Sequence, residues 1–140
     1  MSKPTDLLEQ YAAAVYAKDV DAVMELYDRD ARVFDLWTQW QYPDKRAWRV
    51  AVTEWLTGLE DEFLTMKFDD VRVSTSSDLA VLHAIVTHFT ADARGEQGRA
   101  MQYRLTWTLE RKGHAWRIVH EHTSAPVDAD TYLVILRQRI

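Results

Sequence analysis

Cysteine occurs nowhere in the 140 residues. Its absence removes disulfide frameworks, thiol nucleophiles and cysteine-based zinc sites together, and it fits a reducing compartment, so a cytoplasmic location is expected. Glycine is nearly as scarce, with four residues scattered at 58, 95, 98 and 113. None of them builds the glycine-rich turn that cradles a phosphate, which disfavours kinases, nucleotidases and dinucleotide-dependent dehydrogenases. Positive charge is also short, with 17 Lys and Arg against 22 Asp and Glu and a net charge of −5. Duplex binding rests on cations that neutralise phosphates, so no nucleic-acid partner is expected. Long apolar runs are missing too, and no helix is expected to cross ~30 Å of hydrocarbon or to engage a membrane. The opening stretch carries Asp6, Glu9 and Asp19 without a basic start, which argues against a secretory signal.

What is present suits a folded protein. Hydrophobic residues make up 47% and charged residues 28% of the chain, and the length fits one domain, 1–140, around one core. The first half has a helical period. Over 5–18, Leu7, Leu8, Tyr11, Ala14 and Val15 fall on one face, with Thr5 placed to cap the helix. A second helix is predicted over 20–27 behind Asp19, and a third over 44–59 with Trp48, Val52, Trp55, Leu56 and Leu59 on one stripe. Between them, 31–37 alternates like a strand, with Ala31, Val33, Asp35 and Trp37 on one face, and 38–43 reads as a loop. After Gly58 the helical period stops. Segments 68–74, 80–90, 101–111 and 116–124 are rich in Val, Ile, Thr and aromatics and are joined by hairpin-sized connections, which predicts an antiparallel meander. The expected class is α+β, with three N-terminal helices packed on one sheet face. The last segment, 132–140, could extend a strand, form a short helix or cross to a partner subunit.

Several residues carry chemistry in these patterns. Trp37, Trp40, Tyr42, Trp48 and Trp55 gather between the first strand and the third helix, two of them in a polar loop that offers little core. This suggests the lining of a pocket for a flat, mostly apolar or aromatic small molecule. Asp35 shares a face with Val33, so an interior face makes the carboxylate interior, and desolvation then raises its pKa unless a partner holds the charge. His120 and His122 share strand parity with Trp116 and Ile118, and of His83 and His88 the grouping with Val81, Ile85 and Phe89 favours His83 as the inward one. A metal held by His120, His122 and Asp35 is the weaker reading, and none is expected, nor any cofactor. Arg104 alternates with Gln102, Thr106 and Thr108, opposite Leu105, Trp107 and Leu109.

The plan resembles the nuclear transport factor 2-like superfamily. The likeness rests on Leu8-Glu-Gln-Tyr11, Lys18-Asp-Val-Asp21, Leu26-Tyr-Asp28 and Ala31-Arg-Val-Phe-Asp35 in the first half. In the second it rests on Arg104-Leu-Thr-Trp-Thr108 and Trp116-Arg-Ile-Val-His-Glu-His-Thr-Ser124. Members include ketosteroid isomerase, SnoaL-like polyketide cyclases, scytalone dehydratase and the association domain of calcium/calmodulin-dependent kinase II. The resemblance implies a cystatin-like α+β barrel, in which a curved antiparallel sheet wraps the helices into a cone with a pocket. It also implies a homodimer. By similarity to ketosteroid isomerase, Asp35 would be the general base and Tyr11 an oxyanion donor, while the isomerase's second donor, a carboxylic acid, aligns near Thr106 and is missing there. Pocket arginines in SnoaL-like members would turn Arg104 inward, to pair with Asp35 or to clamp the substrate. Strand histidines in scytalone dehydratase give His120 and His122 a role in acid–base chemistry. Two functions follow: a cofactor-free isomerase, cyclase or dehydratase, or a ligand-binding or oligomeric assembly module without chemistry.

Overall fold

The fold is seen in a computed structural model that describes residues 2–137. Helix α1 (Asp6–Tyr16) buries Leu7, Leu8, Tyr11, Ala14 and Val15, the stripe that its period lays on one face. Thr5 precedes it in a helical conformation and makes no side-chain cap. Helix α2 (Val20–Met24) is capped by Asp19, whose carboxylate accepts the Ala22 N–H at 3.0 Å. It stops short of the predicted end because strand β1 (Tyr27–Phe34) begins there. The Leu26 carbonyl accepts the Ile118 N–H at 2.8 Å, so the chain is already paired with β5 before the predicted helix end. Helix α3 (Lys45–Gly58) is capped by Asp44 through the Ala47 N–H at 2.8 Å and buries Trp48, Val52 and Leu56 at a spacing of four. No helix among the described residues is long and apolar enough to cross a membrane.

Strands β2 (Phe63–Thr75), β3 (Leu79–Ala91), β4 (Gln97–Lys112) and β5 (Ala115–Ser124) form the predicted meander. Strand β1 joins it parallel to β5, giving the order β1-β5-β4-β3-β2. Parallel pairing is available to β1 because helix α3 and strands β2 to β4, rather than a hairpin, lie between it and β5 in the chain. The helices cover one face. There Leu82, Val86, Leu105, Trp107, Leu109 and Ile118 join Leu7, Val15 and Val52 in one apolar cluster.

A bulge in β5 decides which of its side chains face that cluster. In β5, Leu109 pairs with Ile118 but Thr108 pairs with His120, leaving Val119 as an extra residue. The alternation inverts across it, so Trp116 and Ile118 point inward before the bulge, Glu121 and Thr123 after it. In β2, which ends the sheet, the register shifts between Asp69 and Arg72, and Asp70 adopts a φ of 51°. Such bulges bend a sheet, and this one is curved and mostly antiparallel.

At the C-terminal end, residues 126–136 fold back on themselves. Val127 bridges Val134, and Leu136 accepts the Gln102 N–H at 2.6 Å, so this stretch continues beside β4 where β5 ends. The remainder of 132–140, residues 138–140, lies outside the described residues.

Candidate functional site

A cavity of about 400 Å³ lies between the helices and the inner sheet face, within the size range of small-molecule sites. From α1 comes Tyr11, and from α3 come Trp48, Ala51, Glu54 and Trp55. The sheet adds Met66, Phe68, Val86, His88, Tyr103 and Leu105. The loop after β1 closes one side with Asp35, Leu36, Trp37 and Thr38. That loop is pinned at its base, where Val33 and Tyr42 exchange two backbone hydrogen bonds of 3.0 and 2.8 Å. Thr38 holds a φ of 64°, a strained conformation for a β-branched residue.

Asp35 is fixed by neutral donors. The Thr123 hydroxyl donates to its Oδ1 at 2.9 Å and in turn accepts the Leu36 N–H at 2.9 Å. Burial raises the Asp35 pKa, while Thr123 and the backbone N–H groups of Trp37 and Leu36 pull it part of the way back.

Glu121 is the second carboxyl on the wall and is 3% exposed. Its Oε1 accepts the Tyr27 hydroxyl at 2.5 Å and the Trp107 indole N–H at 2.7 Å. Desolvation nonetheless pushes its pKa up to about 7, against the opposing pull of those two donors and with help from the charge on Asp35. Burial acts in the same direction on the Tyr11 and Tyr103 hydroxyls, which stay protonated. His88 loses basicity by the same cause, down to about 4, and its Nδ1 has no hydrogen-bond partner among the described residues.

The Glu121 shift makes a prediction about stability. Below the ordinary glutamate value of 4.5 the group is protonated in both folded and unfolded chains. Between 4.5 and about 7 the folded protein keeps a proton that the unfolded chain releases. Stability therefore falls as pH rises through this window, by up to about 3 kcal/mol, and levels off above it. Glu121→Gln is expected to lack this slope and to exceed the parent by about 2–3 kcal/mol near pH 8, with the advantage vanishing toward about pH 4. Urea unfolding of both proteins across this range checks it.

Of the residues predicted for the wall, Tyr11, Asp35, Trp37, Trp48 and Trp55 line the cavity. Five others do not. His120 and His122 are turned outward by the Val119 bulge and pack edge-on against Phe34 at 4.8 and 5.5 Å, with His120 Nδ1 2.7 Å from the Arg32 carbonyl oxygen. Neither lines the cavity; His122 shares an outer groove with Asp35, but no cluster of three metal-ligating side chains occurs among the described residues. His83 sits on the outer face because β3 buries Ala80, Leu82, Ala84 and Val86, which brings His88 inward instead. Arg104 is likewise outward, opposite Leu105 and Trp107, and its Nε donates to Ser124 Oγ at 3.0 Å. It therefore makes no pair with Asp35. Trp40 is 95% exposed at the tip of the pinned loop, beside an outer groove shared with Gln39, Gln41 and His122. Glu121 and Thr123 are the cavity residues that plain alternation hides.

Residues 5–128 match the SnoaL-like domain family, and no curated protein matches the chain. Among solved structures, an NTF2-like protein of unknown function from Pseudomonas putida KT2440 is similar over 96% of this chain and 92% of its own, at 24% identity and a TM-score of 0.82. An NTF2-like protein with a cystatin-like fold from Novosphingobium aromaticivorans is similar over 90% and 80%, at 18% identity and a TM-score of 0.73. A Xanthomonas campestris chain assigned as a calcium/calmodulin-dependent protein kinase II association domain is similar over 87% and 84%, at 21% identity and a TM-score of 0.69. At these identities the likeness is one of fold.

Proposed function

The chain belongs to the SnoaL-like domain family, and from that membership we propose that its cavity binds a small, mostly apolar molecule and moves a proton on it, with Asp35 as the base. One observation carries this reading. The Asp35 carboxylate is anchored by Thr123 on the wall of an apolar cavity that holds a second, weakly acidic carboxyl, Glu121. Ionised Asp35 takes a proton from a carbon next to a carbonyl, and the electron pair moves onto the carbonyl oxygen. The Tyr11 hydroxyl and the protonated form of Glu121 are the donors that stabilise that oxyanion. Return of the proton to another carbon is an isomerisation. Delivery of that proton to a hydroxyl on the next carbon, as its C–O bond breaks and water leaves, is a dehydration. Attack of the enolate carbon on a second carbonyl of the same molecule, whose C=O π pair moves to oxygen and takes up the proton, is a cyclisation. The two carboxyls divide the labour because their surroundings separate their acidities.

The test is exchange of substrate hydrogens with solvent. The protein is incubated in deuterium oxide with cyclic ketones and enones, and deuterium uptake next to the carbonyl is followed by mass spectrometry. Uptake that depends on Asp35 is expected, and uptake equal in the Asp35→Asn variant sinks the reading.

A second reading is self-association through the outer sheet face. Antiparallel sheets with one solvated face carry polar residues there, yet the outer row of β3 includes Val81, Ile85 and Phe89, with Val81 38% exposed. The name of the Xanthomonas campestris protein describes association for that protein, which agrees with this reading. Sedimentation is expected to give a dimer or larger assembly that Ile85→Lys returns to monomer. A monomeric parent protein at about 100 µM would dismiss it.

A further inference from the structure

We propose that the molecule held in the cavity carries a protonated amine on an apolar, ring-bearing body. The inference rests on the cavity being the binding site and goes on to name the class of ligand. Three carboxyl groups, Asp35, Glu54 and Glu121, line the cavity, and no lysine or arginine does among the described residues. The one basic side chain on its wall among the described residues, His88, is kept neutral by burial.

The two buried carboxyls are held by uncharged donors. Asp35 has the Thr123 hydroxyl and backbone N–H groups, and Glu121 has the Tyr27 hydroxyl and the Trp107 indole. Arg104, the cation that β4 could have offered, is on the other face bound to Ser124. The ionised Asp35, withdrawn from water without a counter-charge, is costly, and a cation that enters beside it recovers part of that cost. A carboxylate or phosphate ligand would add to the cost and find no cation to pair with. The remaining wall suits an ammonium as well, because Trp37, Trp48, Trp55, Tyr11, Tyr42 and Tyr103 supply aromatic rings around the same space, and the face of a ring attracts a cation. An ammonium beside Asp35 also offsets the burial that weakens that carboxyl as an acid, so the base stays ionised when the ligand is bound. Glu54, exposed on α3, places the third carboxyl at the rim, where an incoming amine meets it first.

Three probes on one carbon skeleton test this: phenylpropylamine, phenylpropanol and phenylpropionate. Each is titrated into the full chain at neutral pH, with tryptophan fluorescence as the readout and calorimetry as the check. The amine is expected to bind about tenfold more tightly than the alcohol, with the propionate weakest. Glu54→Gln lies on the exposed side of α3 and leaves the core untouched. It and Asp35→Asn should each reduce the amine's advantage about three- to tenfold, with little effect on the alcohol. If the alcohol binds as tightly as the amine, or the propionate binds more tightly, the amine inference is overturned while the cavity remains a binding site. If none of the three perturbs the tryptophans or releases heat, the cavity reading fails and this inference fails with it.

Discussion

Replacing Asp35 by Asn is expected to slow proton transfer in the cavity by about a hundred- to ten-thousand-fold, or roughly 3–5 kcal/mol of barrier. Asn has the shape of Asp, and its Oδ1 can still accept the Thr123 hydroxyl that now lies 2.9 Å from the carboxylate. The Leu36 N–H keeps its place on the Thr123 oxygen. What the substitution removes is basicity, so circular dichroism and unfolding midpoints should move little while exchange collapses. The pH dependence gives a second reading of the same change. Because burial raises the Asp35 pKa, the parent's rate should climb with pH along a limb displaced upward from that of an exposed aspartate, since only the ionised form takes a proton. The variant should have no such limb. Equal rates and equal limbs in the two proteins would remove Asp35 from the chemistry.

The largest effect on stability is expected at Trp107. Its side chain is fully buried, it meets the Tyr11 ring edge-on at 5.6 Å, and its indole N–H supplies one of the two hydrogen bonds to Glu121. Trp107→Ala should cost about 3–5 kcal/mol from lost packing and the void left behind. In a chain of this size that lowers the melting temperature by roughly 10 °C or more. Trp107→Phe separates the two contributions, because it keeps most of the volume and deletes only the donor. A loss of about 1–3 kcal/mol is expected there, with the Glu121 pKa pushed further up because one of the donors that oppose desolvation is gone. Urea unfolding of both variants at two pH values measures this. An alanine variant within about 1 kcal/mol of the parent would refute the packing account.

Some of this arrangement can be read from the residues alone. The stripe on α1 and the four-residue spacing of Trp48, Val52 and Leu56 on α3 are periodic signals, and periodicity is what burial imposes on a helix. Asp35 is legible because it follows β1 directly and continues the inward row of Ala31 and Val33. The sites of failure share a cause, which is that face assignment in a strand depends on register and not on composition. In β3 the sets Leu82, Ala84, Val86 and Val81, Ile85, Phe89 are almost equally apolar, so hydrophobicity could not choose between His83 and His88. In β5 one extra residue, Val119, exchanges the roles of the histidines and of Glu121 and Thr123. A regular count from Trp116 leads to the wrong pair, and no residue type near Val119 marks the bulge. Tyr103 was within reach, since it continues the inward row of Leu105, Trp107 and Leu109. The parallel pairing of β1 with β5 has no turn to announce it.

The free border of the sheet bears on how the protein behaves when crowded. Strand β2 is the last of the five, and an unpaired strand invites another chain to add to it and begin a fibre. Here the invitation is withdrawn midway. Lys67, Asp69, Asp70 and Arg72 put charge of both signs along the border, and the left-handed turn at Asp70 breaks the row of backbone donors and acceptors that an incoming strand would need. The opposite border is partly occupied by Tyr42 against Val33. Concentrated protein is thereby directed away from border-to-border growth, because neither border offers an uninterrupted row of backbone donors and acceptors.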